Sequence, residues 1–207
     1  MKNLKISVFK TLEFFFLVYA KIEKKGLDME LFEKKLEGEI VFSGKVMTVH
    51  RDKIELPTGQ TSFREVVEHS GGVVILATIN RDNQDKILMV KQFRYPIGQP
   101  LLELPAGKLE KGEDPFDAAK RELIEETGYQ ANKWTDLGYI HTSAGYSSEK
   151  LYLFKADELE FVGECPDDGE ILIEYEFTKE EIISMINSGE ITDSKTICAM
   201  MKGFIKW

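Results

Sequence analysis

Cysteine is nearly missing from this chain, and the two that occur, Cys165 and Cys198, stand alone. There is no CxxC pair and no Cys/His zinc spacing, which excludes a disulfide framework and a structural zinc. Two buried, reduced thiols are expected, a pattern that fits the cytoplasm. Basic residues are also in deficit: 27 Lys and Arg against 36 Asp and Glu leave a net charge of −9. No basic stripe is available for a phosphate backbone, so nonspecific nucleic-acid binding is excluded. An anionic substrate would instead require a metal and local arginines. His50, His69 and His141 are scattered without ligand spacing and read as structural. Internal repeats and low-complexity linkers are absent, and no apolar run is long enough to span a bilayer.

The start of the chain carries the one run that imitates a targeting segment. Residues 1–28 open with basic residues and an apolar stretch, Phe14 to Ala20, but Lys10 and Glu13 interrupt anything longer. The competing reading is a secretory signal cleaved after Ala20. The expected reading is an extension poorly integrated with the rest, or an upstream start, because Met29 opens a second sequence, MELFEKKLEGEIVFSGKV. The intact mass of the native protein separates the two.

What is present begins with alternating apolar patterns. Residues 39–50, 53–57 and 61–69 read as short strands around a Pro-Thr-Gly turn at 57–59, predicting a small antiparallel lobe over 29–70. VVILATI and ILMVKQFRY, parted by NRDNQDK, read as a hairpin of buried strands. LLELPAG follows as one short strand, and WTDLGYIHTS and KLYLFKADEL as two more. Helical patterns close the chain around Thr178 to Asn187 and Asp193 to Ile205. The expected class is α/β: a three-layer α/β/α sandwich on a mixed sheet over 71–207, with the β lobe before it.

One segment carries the chemistry. Residues 107–129 read GKLEKGEDPFDAAKRELIEETGY, with Gly107, Glu113, Arg121, Glu122, Leu123, Glu125, Glu126 and Gly128 at fixed spacings. Asp114 suits a helix N-cap, Pro115 the first turn, and Gly128 the left-handed position past the end, so the helix runs from about Pro115 to Thr127. At 100° per residue Phe116, Ala119 and Leu123 form an apolar stripe, with Glu122, Glu125 and Glu126 on the arc beside it. Like charges three and four apart repel, and carboxylates in a last turn face the negative end of the helix dipole. Such a sequence is not one that stability alone selects. Hard divalent cations such as Mg²⁺ prefer carboxylate, phosphate and water oxygens. The competing reading of such a run is a solvated acidic face.

This segment resembles the signature of the Nudix hydrolases, which cleave nucleoside diphosphates linked to another group. Outside it, KQFRYPIGQPLLELPAGKLEKGE and REVVEHSGG are similar to the ADP-ribose pyrophosphatase branch. The resemblance implies hydrolysis of ADP-ribose to AMP and ribose 5-phosphate, with Mg²⁺ or Mn²⁺ as cofactor. It implies that Glu122, Glu125, Glu126 and the Ala106 carbonyl hold the metal, and that Glu113, Arg121 and Gly107 brace them. Glu149, in the loop HTSAGYSSEK, is the implied general base; a surface glutamate beside Lys150 is the competing reading. Arg64 and Arg94 match arginines near the phosphates, the alternative for each being a rim salt bridge. The resemblance also implies a homodimer whose amino-terminal strands help build the partner's site. Ala144 and Ser70 stand where that branch commonly has proline, which leaves another nucleoside diphosphate sugar or a dinucleotide open as substrate. A noncatalytic ADP-ribose-binding module is the rival of a different class.

Overall fold

The computed structural model describes residues 31–163 and 171–204. The extension over 1–28, and Cys165, lie outside the described residues. Three strands, β1 (Lys34–Ser43), β2 (Met47–Glu55) and β3 (Thr61–His69), form a sheet in that order. Their turns are too short for a crossover and make them antiparallel. Strand β2 runs unbroken through Arg51 and Asp52, and the break falls earlier, where Gly44 N–H reaches the Met47 carbonyl at 2.9 Å. Two compact units divide the chain: one holds 53–63 with the residues up to Glu37, the other Gly38–Asp52 with everything from Arg64 onward.

The larger unit is built on a seven-stranded sheet: β4 (Gly72–Arg81), β5 (Gln84–Arg94), β6 (Gln99–Glu103), β7 (Ala106–Lys108), β8 (Tyr129–His141), β9 (Lys150–Phe161) and β10 (Ile173–Thr178). The path is β10-β5-β4-β9-β8, with β6 on β5 and β7 on β4. Pairing of β4 with β9 is parallel and the other pairs are antiparallel, so the sheet is mixed. LLELPAG is two strands: β6 ends at Glu103 on β5 and β7 begins at Ala106 on β4, with Pro105, which has no N–H to continue a ladder, between them. Strand β10 has no counterpart among the sequence expectations; its residues alternate charge and apolar side chains at an edge, with Ile173 and Tyr175 exposed.

Among the described residues three α-helices cover the two faces: α1 (Pro115–Thr127), α2 (Lys179–Ser188) and α3 (Ser194–Phe204). Alternation along β4 assigns its side chains. Val73, Ile75, Ala77 and Ile79 pack with Ala118, Ala119 and Leu123 of α1; Val74 and Leu76 pack with Ile182 of α2 and Ala199 and Met200 of α3. Burial on both faces explains why β4 reads as a continuous apolar run. Each fully buried side chain of this size contributes about 1.5–3 kcal/mol. Cys198 is a free thiol only partly buried on α3, less enclosed than its isolation in the sequence suggests. Among the described residues no helix is long and apolar enough to cross a membrane.

Candidate active site

Helix α1 is set by its ends. Asp114 accepts from Phe116 N–H at 2.9 Å, Pro115 opens the first turn, and Gly128 closes the helix at φ 68°, its N–H on the Ile124 carbonyl at 2.8 Å. Leu123 points into the core and Glu122 and Glu126, on the neighbouring arc, are each buried to within a tenth of their surface.

The strand ladder decides what meets these carboxylates. Ile75 N–H donates to the Pro105 carbonyl at 2.8 Å, so Ile75 and Pro105 are a hydrogen-bonded pair. The next pair, Val74 and Ala106, is therefore the non-bonded kind, and Ala106 turns its N–H and C=O away from β4. That N–H donates to Glu126 Oε2 at 2.8 Å, and the carbonyl faces the same edge. Gly107 follows. A Cβ built there falls 1.8 Å from Glu122 Cδ, so only glycine lets the carboxylate approach the strand. Gly107→Ala is expected to keep the fold, since Glu122 is flexible at its far end, but to displace that carboxylate and lower kcat/KM about 10- to 100-fold. Steady-state rates with a melting curve check this; full activity in the variant refutes it.

Arg121 gathers the remaining carboxylates. Its Nε and Nη2 donate to Glu113 at 2.9 and 3.1 Å, and its Nη1 to Glu122 Oε1 at 2.8 Å and Glu125 Oε2 at 2.7 Å. The bonds to Arg121 hold Glu113 below the ordinary carboxylate range, and Glu113 in turn keeps Arg121 above its own. Glu113 also accepts from Glu110 N–H at 2.9 Å, tying the loop ahead of the helix to the same cluster. The three helix carboxylates thus share an edge but not a centre: Glu122 and Glu125 turn to Arg121, Glu126 to Ala106. Among the described residues no three acidic, His or Cys groups are gathered closely enough to chelate an ion. The donor set nonetheless fits a hard divalent cation: every side-chain donor is a carboxylate oxygen, a backbone carbonyl shares the edge, and Gly107 lets the Glu122 carboxylate come up against the strand.

Glu149 lies just before β9. Thr142 Oγ1 donates to its Oε2 at 2.7 Å, and His69 Nδ1 stands 3.5 Å from Oε1. That nitrogen already accepts from Gly71 N–H at 3.0 Å, so it carries a lone pair there and does not also donate to Glu149. The loop 142–149 is fastened despite Ala144: Val67 N–H donates to the Tyr146 carbonyl at 2.7 Å and Ser148 N–H to the Val67 carbonyl at 2.9 Å. Leu151, Gly72 and Lys108 are neighbours across β9, β4 and β7, which puts the Glu149 end of β9 about 10 Å, two strand spacings, from the Lys108 end of β7. Arg64 is half-buried on β3. Arg94, at the end of β5, gives Nε and Nη2 to Glu103 at 2.8 and 2.6 Å, and its Nη1 makes no hydrogen bond among the described residues.

Three residues of this neighbourhood escaped the sequence reading: Glu103, Thr142 and Lys195, which also bonds Glu103. A signal existed for Glu103, an acid set between leucines in an apolar strand, where a buried carboxylate demands partners.

A family model described as the NUDIX domain matches residues 69–197, well over half of the chain. The chain belongs to the Nudix family. A second model, the nucleoside diphosphate sugar hydrolase N-terminal domain, matches residues 33–67 of this Nudix protein. It is 43% identical to an ADP-ribose pyrophosphatase of Bacillus subtilis, over 82% of the chain and 91% of that relative. It is 42% identical to a methanol dehydrogenase activator of Bacillus methanolicus, over 83% and 92%. A crystal structure of an ADP compounds hydrolase superposes with a TM-score of 0.72 at 22% identity, covering 83% of this chain and 91% of the other, which establishes the fold. Nudix hydrolases are generally dependent on a divalent metal.

Proposed function

We propose that this Nudix hydrolase cleaves the diphosphate of ADP-ribose with water, giving AMP and ribose 5-phosphate. The observation that carries the reading is the glutamate-lined edge of α1 set against Ala106 and Gly107, in a chain 43% identical over most of its length to an ADP-ribose pyrophosphatase. Glu122, Glu125, Glu126 and the Ala106 carbonyl are the groups that would hold Mg²⁺, or Mn²⁺ in its place. A cation held there neutralises diphosphate charge and makes a water easier to deprotonate. Gly107 admits Glu122 to the strand, and Arg121 with Glu113 orients the carboxylates from behind. Glu149, aligned by Thr142, accepts the proton of the attacking water as its oxygen bonds to phosphorus. The leaving phosphate departs on the opposite side, and Arg64 and Arg94 steady the diphosphate in line.

Residues 29–70 are taken as an N-terminal β lobe, and 71–207 as the hydrolase domain. The match of 33–67 to a nucleoside diphosphate sugar hydrolase model supports this and keeps another such sugar as the second substrate reading. Exposed Ile40, Val41, Phe42 and Phe63 on the lobe support a homodimer that covers them. The scarcity of cysteine supports a cytoplasmic protein.

The test is a panel of nucleoside diphosphate sugars and dinucleotides with Mg²⁺, products identified, on a preparation sized by light scattering. AMP and ribose 5-phosphate from ADP-ribose, at the highest kcat/KM of the panel, is the expected result, from a species of twice 23.7 kDa. No AMP from ADP-ribose sinks the substrate assignment, and a monomeric mass sinks the dimer.

A further inference from the structure

Outside the signature, the described residues hold a charged network of which the mechanism uses only Arg94. Glu103, at the end of β6, is 1% exposed yet carries a carboxylate. Burial works to raise its pKa, but the bonds from Arg94 and Lys195 more than offset that, and the carboxyl is held below its ordinary range. Lys195 also reaches Asp193 Oδ1 at 3.0 Å, and Asp193 caps α3 by accepting from Thr196 N–H at 3.0 Å. Thr196 Oγ1 donates to Asp193 Oδ2 at 2.6 Å and accepts from Leu104 N–H at 2.9 Å. The first turn of α3 therefore grips two consecutive residues, Glu103 and Leu104, that lead through Pro105 to Ala106 and its bond with Glu126.

Arg94 is fixed by that grip. A two-bond contact through Nε and Nη2 sets the plane of the guanidinium, and Nη1 is the corner left over. Glu103 acts on Arg94 most strongly, and Glu126 also adds to its field, so the guanidinium sits within electrostatic reach of the acidic edge of α1. A lone Arg94–Glu103 pair would turn as a unit with the Glu103 side chain. Lys195 supplies the second fixed point, and its Nζ is anchored by Asp193.

We infer that Lys195 is a positioning residue for the hydrolysis: through Glu103 it holds Arg94 so that Nη1 faces the diphosphate, and it acts on substrate binding only by way of Arg94. The inference rests on the reading of the site as a nucleoside diphosphate hydrolase and extends it to α3, far along the chain from the signature. The network is neutral as a whole, since Arg94 and Lys195 balance Glu103 and Asp193 before substrate arrives. The arriving diphosphate is then met by an arginine whose orientation is already set.

A double-mutant cycle separates this role from a structural one. Arg94→Ala is expected to raise KM about 10- to 100-fold, the loss of a charge-assisted hydrogen bond to the diphosphate. Lys195→Met is expected to raise KM about tenfold with kcat within about threefold of wild type, and Glu103→Gln to do the same. In the Arg94→Ala background, Lys195→Met is expected to add nothing. Additive effects overturn the inference, because Lys195 would then act on the substrate directly; so does an unchanged KM in both Lys195→Met and Glu103→Gln, or a fall in kcat alone. The cycle is run on the panel member that turns over fastest. A wild type that prefers a substrate other than ADP-ribose sinks only the substrate assignment, and one that cleaves nothing overturns both.

Discussion

Glu126→Gln is expected to lower kcat about 10²- to 10³-fold while leaving the melting temperature unchanged or slightly higher. The structure separates the two effects. Glu126 Oε2 accepts the Ala106 N–H at 2.8 Å, and a glutamine amide oxygen of the same shape accepts it equally, so the strand stays where it is. The negative charge is what disappears. Preorganised charge stabilisation of this kind is worth about 10²–10³ in kcat when one contributor is removed. Removing a carboxylate from the last turn of α1 relieves repulsion against Glu122 and the helix dipole, a gain of a few tenths of a kcal/mol. Activity and stability should therefore move in opposite directions. Steady-state rates with saturating Mg²⁺, paired with thermal unfolding without it, measure both. Retention of full rate removes Glu126 from the metal assignment, and a drop of several degrees in melting temperature means the glutamate is structural.

That opposition shows why α1 was legible from sequence. Its cap, its first-turn proline and its terminal glycine are local devices, and each acts within four residues of itself, so Pro115–Thr127 could be bounded without tertiary information. The strands β4, β5, β8 and β9 were legible for a similar reason, since period-2 or continuous apolar runs reflect burial directly. Four things were not. The break at Pro105 parts two strands with different partners, β5 and β4, and only the ladder shows that the chain changes partner there. The edge strand β10 is half charged and looks like a loop until β5 supplies its partner. The Glu103–Lys195 bond joins residues 92 positions apart, which no spacing rule reaches. The same holds for Thr142 beside Glu149, where an ordinary threonine becomes informative only once its hydroxyl is seen at 2.7 Å.

Arg121→Met should make the folded state depend on divalent metal. In the protein without a cation, one guanidinium bonds Glu113, Glu122 and Glu125 together, at 2.7 to 3.1 Å, and offsets part of their charge. Methionine fills similar space along the helix and leaves three carboxylates crowded, two of them on the same arc as Glu126. Breaking a buried ion pair costs about 3–5 kcal/mol, and partial exposure of these groups brings the expected loss to about 2 kcal/mol. For a domain of this size that is a fall of about 4–8 °C. Mg²⁺ then has more to offer the variant than the wild type. In the wild type a cation must draw Glu122 and Glu125 away from Arg121, whereas in the variant the Arg121 bonds no longer compete for those carboxylates. Saturation at 100 times Kd adds about 2.7 kcal/mol to any state that binds the ion, so the variant should recover most of its lost stability in excess Mg²⁺. Its turnover should stay low, because Glu113 no longer braces the loop ahead of α1. Melting curves across a Mg²⁺ titration decide the matter: a metal-induced rise no larger in the variant than in wild type would mean that Arg121 and the cation do not share these carboxylates.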